Sequence, residues 1–231
     1  MTLPATTLWL SRARLRRGPA ATGALARLLV PEGEGPRVAA AHRLVWALFA
    51  DMPDRRRDFL WREEEPGRFM TLSAREPGPL PDLFDVQTTA FEPVLAAGDR
   101  LGFTLRANPV VSRPEAPGQR GKRHDVVMDA LRHVPEPGRA AARFGVATEA
   151  GLAWLNRQGA AHGFAPGGVA VDGYETVQVP RDGGQKPARF GQLEFTGTLT
   201  VTDPAAFLTA LASGFGRARA FGCGLMLIRR V

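Results

Sequence analysis

The C-terminal part of the chain contains Gly214-Phe-Gly-Arg-Ala-Arg-Ala-Phe-Gly-Cys-Gly224, followed directly by the apolar run Leu225-Met-Leu-Ile228. Four glycines within eleven residues leave little side chain to cover the main chain. Arg217 and Arg219 add positive charge between the glycines. Because such a loop can bring backbone N–H groups close to phosphates, we expect an uncovered, anion-binding loop.

Two known classes of phosphate-binding loop are excluded for this stretch. It has no Gly-Lys-Ser/Thr ending, which a P-loop requires. It follows a predicted helix and precedes a single strand, so no βαβ unit remains to hold a dinucleotide. Composition alone also permits a plain flexible turn between the last helix and the last strand.

The residues before the loop predict alternating helices and strands. Asp203-Pro204 is typical of a helix start, because it combines an N-cap with proline at the first helical position. Gly163 is a stop signal for an earlier helix. In chain order we predict a strand and an irregular insertion in 110–143, a helix at 148–161, strands at 168–179 and 190–201, a helix at 205–213 and a strand at 225–228.

The first half predicts a similar order. Residues 8–15 alternate, so a strand there places Arg12, Arg14 and Arg16 on one face. The other predicted elements are a helix at 38–50, strands at 59–62 and 68–74, a short helix near 81–84 and a strand at 99–106. Two successive β-α-β-β-α-β units predict an α+β fold of two tandem ferredoxin-like domains, 1–108 and 109–231.

The positive charge is carried almost entirely by arginine. The chain has 30 basic and 23 acidic residues, and only Lys122 and Lys186 are lysines. Residues 116–231 contain 14 basic and 9 acidic residues, against 16 and 14 in residues 1–115. Because the guanidinium suits phosphates and base edges, we expect an anionic partner, most simply a nucleic acid. We assign the run Arg55-Arg56-Arg57 to codon usage and solvation.

Two basic clusters are candidate nucleic-acid contacts outside the glycine-rich loop. They are Arg181, Lys186 and Arg189 at a predicted hairpin tip, and Arg120, Lys122 and Arg123 in the irregular insertion. Both are expected to track phosphates. Either cluster is also compatible with a plain solvated loop.

Composition limits the compartment and the cofactors. No uninterrupted apolar stretch of about 18 residues is present, and the first ten residues do not resemble a secretion signal, so we expect a cytoplasmic protein without a membrane partner. The single cysteine, Cys223, is expected to be a small buried side chain. Neighbouring residues of the run Glu63-Glu64-Glu65 alternate faces of a strand, and His124, His133 and His162 lack ligand spacing. We therefore expect neither a metal nor another cofactor.

Several short segments match one family in order along the chain. They are Leu8-Trp-Leu-Ser-Arg12, Leu105-Arg-Ala-Asn-Pro109, Ala153-Trp-Leu-Asn-Arg157, Phe195-Thr-Gly-Thr-Leu199 and the glycine-rich stretch with its following strand. Together they resemble the repeat-associated (RAMP) superfamily of CRISPR RNA-binding proteins, and within it the CasE-type endoribonucleases of type I-E Cascade. The resemblance covers residues 8–231.

The resemblance implies an endoribonuclease that cleaves the hairpin of CRISPR repeat RNA without a metal and leaves a 2′,3′-cyclic phosphate. It also implies that the protein stays on the crRNA 3′ stem-loop as a Cascade subunit, next to a backbone subunit. The basic hairpin would enter the widened major groove of the stem. The implied RNA contacts of the glycine-rich stretch are Gly214, Gly216, Arg217, Arg219, Gly222 and Gly224.

His42 is the candidate catalytic residue, because the family keeps its catalytic histidine on the first helix. With an ordinary pKa near 6.5, a histidine can take a proton from a 2′-hydroxyl or give one to the leaving oxygen. On a helical wheel it lies about 40° from Val38, on the shoulder of the apolar face beside Trp46. Arg43 and Arg37 are the nearest cations in the sequence and are expected to stabilise the developing charge.

One position departs from the family pattern. The family commonly has a tyrosine three residues before the histidine, and here that residue is Ala39, while the only tyrosine is Tyr174. We therefore expect slower or differently assisted cleavage. The alternatives are a non-catalytic RNA-binding scaffold of the same fold and, disfavoured by the basic second half, a ferredoxin-like regulatory or small-molecule-binding module.

Overall fold

The computed structural model describes residues 7–16, 29–51, 56–113, 121–180 and 185–231. These residues divide into two compact units. The first lies within Met1–Val94, Val177–Arg189 and Arg219–Leu225, and the second within Leu95–Thr176, Phe190–Ala218 and Met226–Val231.

In its described residues, the first unit is an antiparallel sheet packed against a helix. Its elements are β1 (Leu8–Leu15), α1 (Glu34–Ala47), β2 (Phe59–Glu65), β3 (Arg68–Ser73) and β4 (Phe84–Phe91), with the strand order β2-β3-β1-β4. The predicted alternation of β1 is confirmed, because Ala13 and Leu15 are buried and Arg12 and Arg14 are exposed. The apolar face of α1 covers this side of the sheet and forms a core with Trp61, Phe69 and Phe84.

Helix α1 begins earlier than the predicted residue 38, at Glu34. The N–H groups of a first helical turn have no intrahelical partner, so Gly35 and Pro36 are tolerated there. The acidic Glu34 also suits the positive end of the helix dipole.

The short helix predicted near 81–84 is wrong. Residues 81–83 form a turn, and β4 then pairs with the whole of β1, from Leu15 opposite Phe84 to Leu8 opposite Phe91. Phe84 is buried and Asp85 is exposed, which is the alternation of a half-buried strand. A strand edge of β1 would otherwise be unpaired, and this pairing overrides the weak local helix signal.

The second unit contains α-helices beside its main sheet, and three of them lie in the described residues. Its elements are β5 (Arg100–Ala107), β6 (Val110–Arg113), β7 (Lys122–Asp125), α2 (Val126–Leu131), α3 (Arg139–His162), β8 (Phe164–Val179), β9 (Ala188–Val201), α4 (Pro204–Ser213) and β10 (Met226–Arg230). The main sheet has the order β10-β5-β9-β8, and the ends of β8 and β9 that meet at the hairpin belong to the first unit. Asp203 caps α4 and Gly163 ends α3 in the left-handed conformation, as predicted.

The strand predicted at 99–106 does not complete the first sheet. This strand, β5, pairs with β9 and β10, so it opens the second β-α-β-β-α-β unit. The strand predicted in 110–143 is instead a small sheet of β6 and β7 followed by α2, and α3 starts at Arg139 because Ala140, Ala141 and Ala142 favour a helix. With two four-stranded antiparallel sheets, the α+β ferredoxin-like prediction is confirmed.

No helix in the described part of the chain combines the length and the apolar character needed to cross a membrane.

Candidate active site

His42 is half-buried on α1, and its ring is oriented by a distant backbone carbonyl. Nδ1 lies 2.7 Å from the carbonyl oxygen of Ala220, which can only accept a hydrogen bond. Nδ1 therefore carries the proton in the neutral ring, and Nε2 holds the free lone pair. This tautomer is the one that accepts a proton at Nε2.

Two aromatic rings contact the imidazole. Trp46, one helical turn further along α1, meets it edge-on with 6.3 Å between ring centroids. Phe221 lies 5.8 Å from it between ring centroids, in the 3₁₀ turn Arg219–Phe221. The helix and this turn thus fix the ring together.

The pKa of His42 is lowered from its ordinary value. Burial is the largest cause, and the positive charges of Arg57 and Arg43 add to it, while the hydrogen bond to Ala220 acts in the opposite direction. Each lowering effect disfavours the charged imidazolium. The ring is therefore neutral at neutral pH and available as a base.

Arg57 lies near this histidine, and its assignment to solvation is wrong. Its side chain is half-buried, and Nη1 is inaccessible with no hydrogen-bond partner among the described residues. Burial, and then the charge of Arg219, lower the pKa of Arg57. Nothing in the sequence spacing places Arg57 beside His42, because tertiary structure brings them together.

The two cations predicted beside His42 differ in their surroundings. Arg43 is exposed on α1. Arg37 is partly exposed and lies 3.5 Å from a carboxylate oxygen of Glu63.

In the second unit, the hydroxyl of Tyr174 donates to Asp125 over 3.0 Å, so the only tyrosine has a structural partner there.

The glycine-rich stretch is less open than expected. Gly214, Gly222 and Gly224 are buried, so the expectation of an uncovered backbone is wrong at these three positions. All three, and Gly216, have positive φ angles, which explains the glycines by turn geometry. The predicted RNA contacts at these glycines stay a prediction.

Asn108 anchors the first part of this stretch. Its side-chain amide donates to the carbonyl of Gly191 over 2.6 Å, and its own carbonyl accepts from the N–H of Arg217 over 3.1 Å. A Cβ atom at Gly216 would lie 2.7 Å from the same carbonyl, so only glycine fits there. The guanidinium side chain of Arg217 is exposed.

The second part of the stretch forms a wall of the His42 site. It supplies the Ala220 carbonyl and the Phe221 ring, and a Cβ atom at Gly222 would lie 3.3 Å from the Trp61 ring. Neither Ala220 nor Phe221 was predicted as a site residue, because a backbone carbonyl leaves no signal in side-chain chemistry. The buried Cys223 next to them confirms the prediction for that residue.

The strand that leads into the basic hairpin, β8, contacts the helix that carries His42. Gly35, in the first turn of α1, lies so close to the carbonyl of Gln178 that a side chain would collide with it. Arg189 in β9 and Lys186 just before that strand are exposed, and Arg181 lies outside the described residues.

The second basic cluster belongs to the other unit. Lys122 and Arg123 are exposed on β7, and Arg120 lies outside the described residues. Arg113 on the paired strand β6 is engaged with Asp129 over 2.7 Å.

The acidic run behaves as a solvated strand end. Glu64 and Glu65 are exposed, while Glu63 accepts from the N–H of Gly67 over 2.9 Å. Within the ranges that the structure describes, no three His, Cys, Asp or Glu side chains lie close enough to hold a metal ion.

Comparisons with known proteins agree over almost the whole chain. The sequence profile of a family described as CRISPR associated protein matches residues 8–230. The Escherichia coli (strain K12) protein CRISPR system Cascade subunit CasE is 25% identical over 211 residues, which cover 87% of this chain and 96% of that protein.

Two solved structures are similar in sequence and in fold. CRISPR endoribonuclease Cse3 bound to a 19-nucleotide RNA is 26% identical, with a TM-score of 0.66, over 96% of this chain and 99% of that chain. Thermus thermophilus Cse3 bound to an RNA representing a pre-cleavage complex is 25% identical, with the same TM-score of 0.66, over 96% and 99% of the two chains.

Proposed function

Since the chain belongs to the family of CRISPR-associated proteins, we propose that it is an endoribonuclease that cleaves CRISPR precursor RNA at the repeat hairpin without a metal ion. The similar Cse3 structure described as an endoribonuclease bound to RNA supports the activity class, as does the Cse3 structure with an RNA representing a pre-cleavage complex. The observation that carries the mechanism is the bond from Nδ1 of His42 to Ala220, because it leaves Nε2 as a base.

The proposed reaction is attack of the 2′-hydroxyl on the adjacent phosphorus. Nε2 of His42 takes the 2′-hydroxyl proton while the O2′–P bond forms and the P–O5′ bond breaks. The departing 5′-oxygen takes a proton from solvent. The products are a 2′,3′-cyclic phosphate and a free 5′-hydroxyl, so no metal-bound nucleophile takes part.

Positive side chains stabilise the charge that develops on the phosphate. The exposed Arg43 next to His42 is the proposed catalytic partner, and Arg37 contacts the RNA nearby. Preorganised cations act strongly at such a site because they need little reorganisation during the reaction.

Retention of the product depends on the basic surfaces. We infer that Arg181, Lys186 and Arg189 of the hairpin, and Arg120, Lys122 and Arg123 of the insertion, bind phosphates of the crRNA 3′ stem-loop. The exposed positions of Lys186, Arg189, Lys122 and Arg123 support this role. By analogy with the Cascade subunit CasE, the protein then stays in a Cascade complex beside the backbone subunit at the crRNA 3′ end.

A second candidate is a crRNA-binding scaffold without catalysis. Ala39 favours it, because no hydroxyl side chain stands one helical turn before His42. The scaffold would use the same basic surfaces.

Cleavage of repeat hairpin RNA in EDTA tests the proposal. Wild-type protein should cut the all-ribose RNA and leave an RNA with a 2′-deoxy substitution at the cleavage nucleotide intact. The upstream product should have the mass of the cyclic phosphate, one water less than the linear form. His42→Ala should abolish cleavage, and His133→Ala, at an exposed histidine of the other unit, should not.

Other outcomes contradict the mechanism or select an alternative. Cleavage of the 2′-deoxy RNA, or normal activity of His42→Ala, excludes His42-assisted 2′-hydroxyl attack. Tight binding without cleavage selects the scaffold, and absence of binding selects the regulatory or small-molecule-binding module.

A further inference from the structure

Three segments of the first unit meet around His42, and one of them carries a cation whose buried Nη1 has no hydrogen-bond partner among the described residues. The segments are α1, the 3₁₀ turn Arg219–Phe221, and the residues that lead into β2. Phe59, the first residue of β2, packs edge-on against Trp46 with 5.1 Å between ring centroids. This packing holds the preceding residue pair, including Arg57, beside the helix that carries His42.

The guanidinium of Arg57 is in an unfavourable environment as the structure stands. Its Nη1 is buried without a hydrogen-bond partner among the described residues, and the charge that acts on it, that of Arg219, is also positive. Leaving a buried N–H without a hydrogen bond costs more free energy in a charged group than in a neutral one. A like charge nearby adds to that cost. Such an arrangement is stabilised when an anion binds.

The carboxylate nearest to Arg57 in the sequence serves another arginine. Asp58 accepts from Nε of Arg75 over 2.8 Å. Arg75 also lies 3.4 Å from Asp51 and donates to the carbonyl of Phe49 over 2.8 Å, so it is held in place from several sides. The charges that act on the pKa of Arg57 do not include Asp58.

We propose that Arg57 is a further catalytic residue, whose guanidinium donates to the non-bridging oxygens of the scissile phosphate beside His42. This inference rests on the proposed RNA cleavage. No proton is transferred to or from Arg57. Its fixed positive charge stabilises the extra negative charge of the pentavalent phosphorane. The planar guanidinium can donate hydrogen bonds to two phosphate oxygens at once.

The position of Arg57 complements the departure at Ala39. Without a hydroxyl one turn before His42, the charge on the phosphorane must be stabilised by other donors. Arg43 is exposed, and its interactions are weakened by solvent. Arg57 is half-buried, so its interaction with a bound phosphate is stronger.

Single-turnover cleavage by Arg57→Ala tests this role, with Arg56→Ala as the matched control. Arg56 is the exposed neighbour, so its substitution removes the same charge outside the site. We expect Arg57→Ala to slow cleavage by about 100-fold or more and to change binding of the 2′-deoxy hairpin by less than about threefold. Arg56→Ala should stay within about threefold of wild type in both measurements.

A second measurement separates a catalytic role from a structural one. The charge of Arg57 lowers the pKa of His42, so Arg57→Ala should raise that pKa in an NMR titration of the imidazole Cε1 proton. Arg56→Ala should leave it unchanged. If the alanine variant unfolds, Arg57→Gln, which fills similar space without charge, is measured against the same thresholds.

The possible failures are distinguishable. Wild-type protein that does not cleave overturns the proposed function and this inference with it. Wild-type cleavage together with near-normal cleavage by the Arg57 variants overturns the inference alone. Equal losses of binding and cleavage also overturn it, because Arg57 would then only hold the RNA.

Discussion

At the scale of single residues, the proton on Nδ1 of His42 determines what the ring can do. The Ala220 carbonyl holds that proton, so a change of pH acts on Nε2. The charges of Arg43 on the same helix and of Arg57 before β2 act on the ring, and the charge of Arg219 acts on Arg57. All three are arginines and remain charged throughout the range in which a histidine titrates.

The lowered pKa of His42 predicts activity in mildly acidic solution. A general base works while it is unprotonated, so the rate falls only when the pH drops below the pKa of His42, which lies below 6.5. We expect the single-turnover rate to be level from neutral pH to 6.5 and to decrease at lower pH. A tenfold fall between pH 7.5 and 6.5 would show that another group is the base.

The same shift predicts a small effect on folding. The unfolded chain binds a proton at His42 more readily than the folded chain, so the contribution of this residue to stability is complete above pH 6.5. It is lost as the pH falls from 6.5 through the lowered pKa. Urea unfolding of wild type and His42→Ala at several pH values measures it, because the variant should lack this component of the pH dependence.

Ala39 offers a test by addition. A tyrosine there would lie one helical turn from His42, where its hydroxyl could assist the proton transfers. We expect Ala39→Tyr to accelerate single-turnover cleavage by roughly tenfold, which is less than the about 100-fold or more that a well-positioned general acid or base contributes. Ala50→Tyr, at an exposed position after the helix, is the control. An Ala39→Tyr rate no higher than wild type would contradict the expectation of assisted cleavage.

At the scale of elements, local patterns predicted what each segment forms better than what it pairs with. The alternation of β1 and the Asp203 cap of α4 are local signals, and both were correct. The partners of β5 were not predictable, because pairing with β9 and β10 joins residues far apart in the sequence. The same holds for the candidate site. His42 was identified from the sequence by the family resemblance, whereas Arg57 and Ala220 could be identified only from the folded structure.

A glycine-to-alanine substitution should have opposite effects on stability at Gly35, where α1 contacts β8, and at Gly145, where α3 has open space. Gly35→Ala forces a side chain against the Gln178 carbonyl and should destabilise the protein by about 1–3 kcal/mol. It should also weaken binding of the 2′-deoxy hairpin, because Lys186 and Arg189 lie on the same β-hairpin. Gly145→Ala, with open space inside α3, should stabilise it by about 0.5–1 kcal/mol. Urea unfolding measures both changes, and a neutral Gly35→Ala would contradict the close contact.

At the scale of the whole molecule, the two units share one architecture, and both carry a net positive charge. In each sheet the first strand of the unit lies between the third and the fourth. The net charge of +7 is concentrated in the second half of the sequence. A positively charged RNA-binding protein releases counterions from its ligand, so its affinity depends on salt.

Salt titration of hairpin binding therefore counts the phosphate contacts. We expect the slope of log affinity against log salt to decrease by about one for Lys186→Ala and by about one for Arg189→Ala. Arg100→Ala, at an exposed arginine outside the proposed RNA surfaces, should leave the slope unchanged. Equal slopes for all three variants would show that the basic β-hairpin of the protein does not contact RNA phosphates.

The bond between His42 and Ala220 also sets the order in which the site becomes competent during protein synthesis. The carbonyl that selects the ring tautomer is encoded 178 residues after the histidine. At about 5–20 residues per second, a ribosome needs roughly 10–35 s to add those residues after α1 has been made. A nascent chain therefore carries its histidine long before the Ala220 carbonyl can orient the ring, and under the proposed mechanism we expect the unfinished protein not to cut RNA.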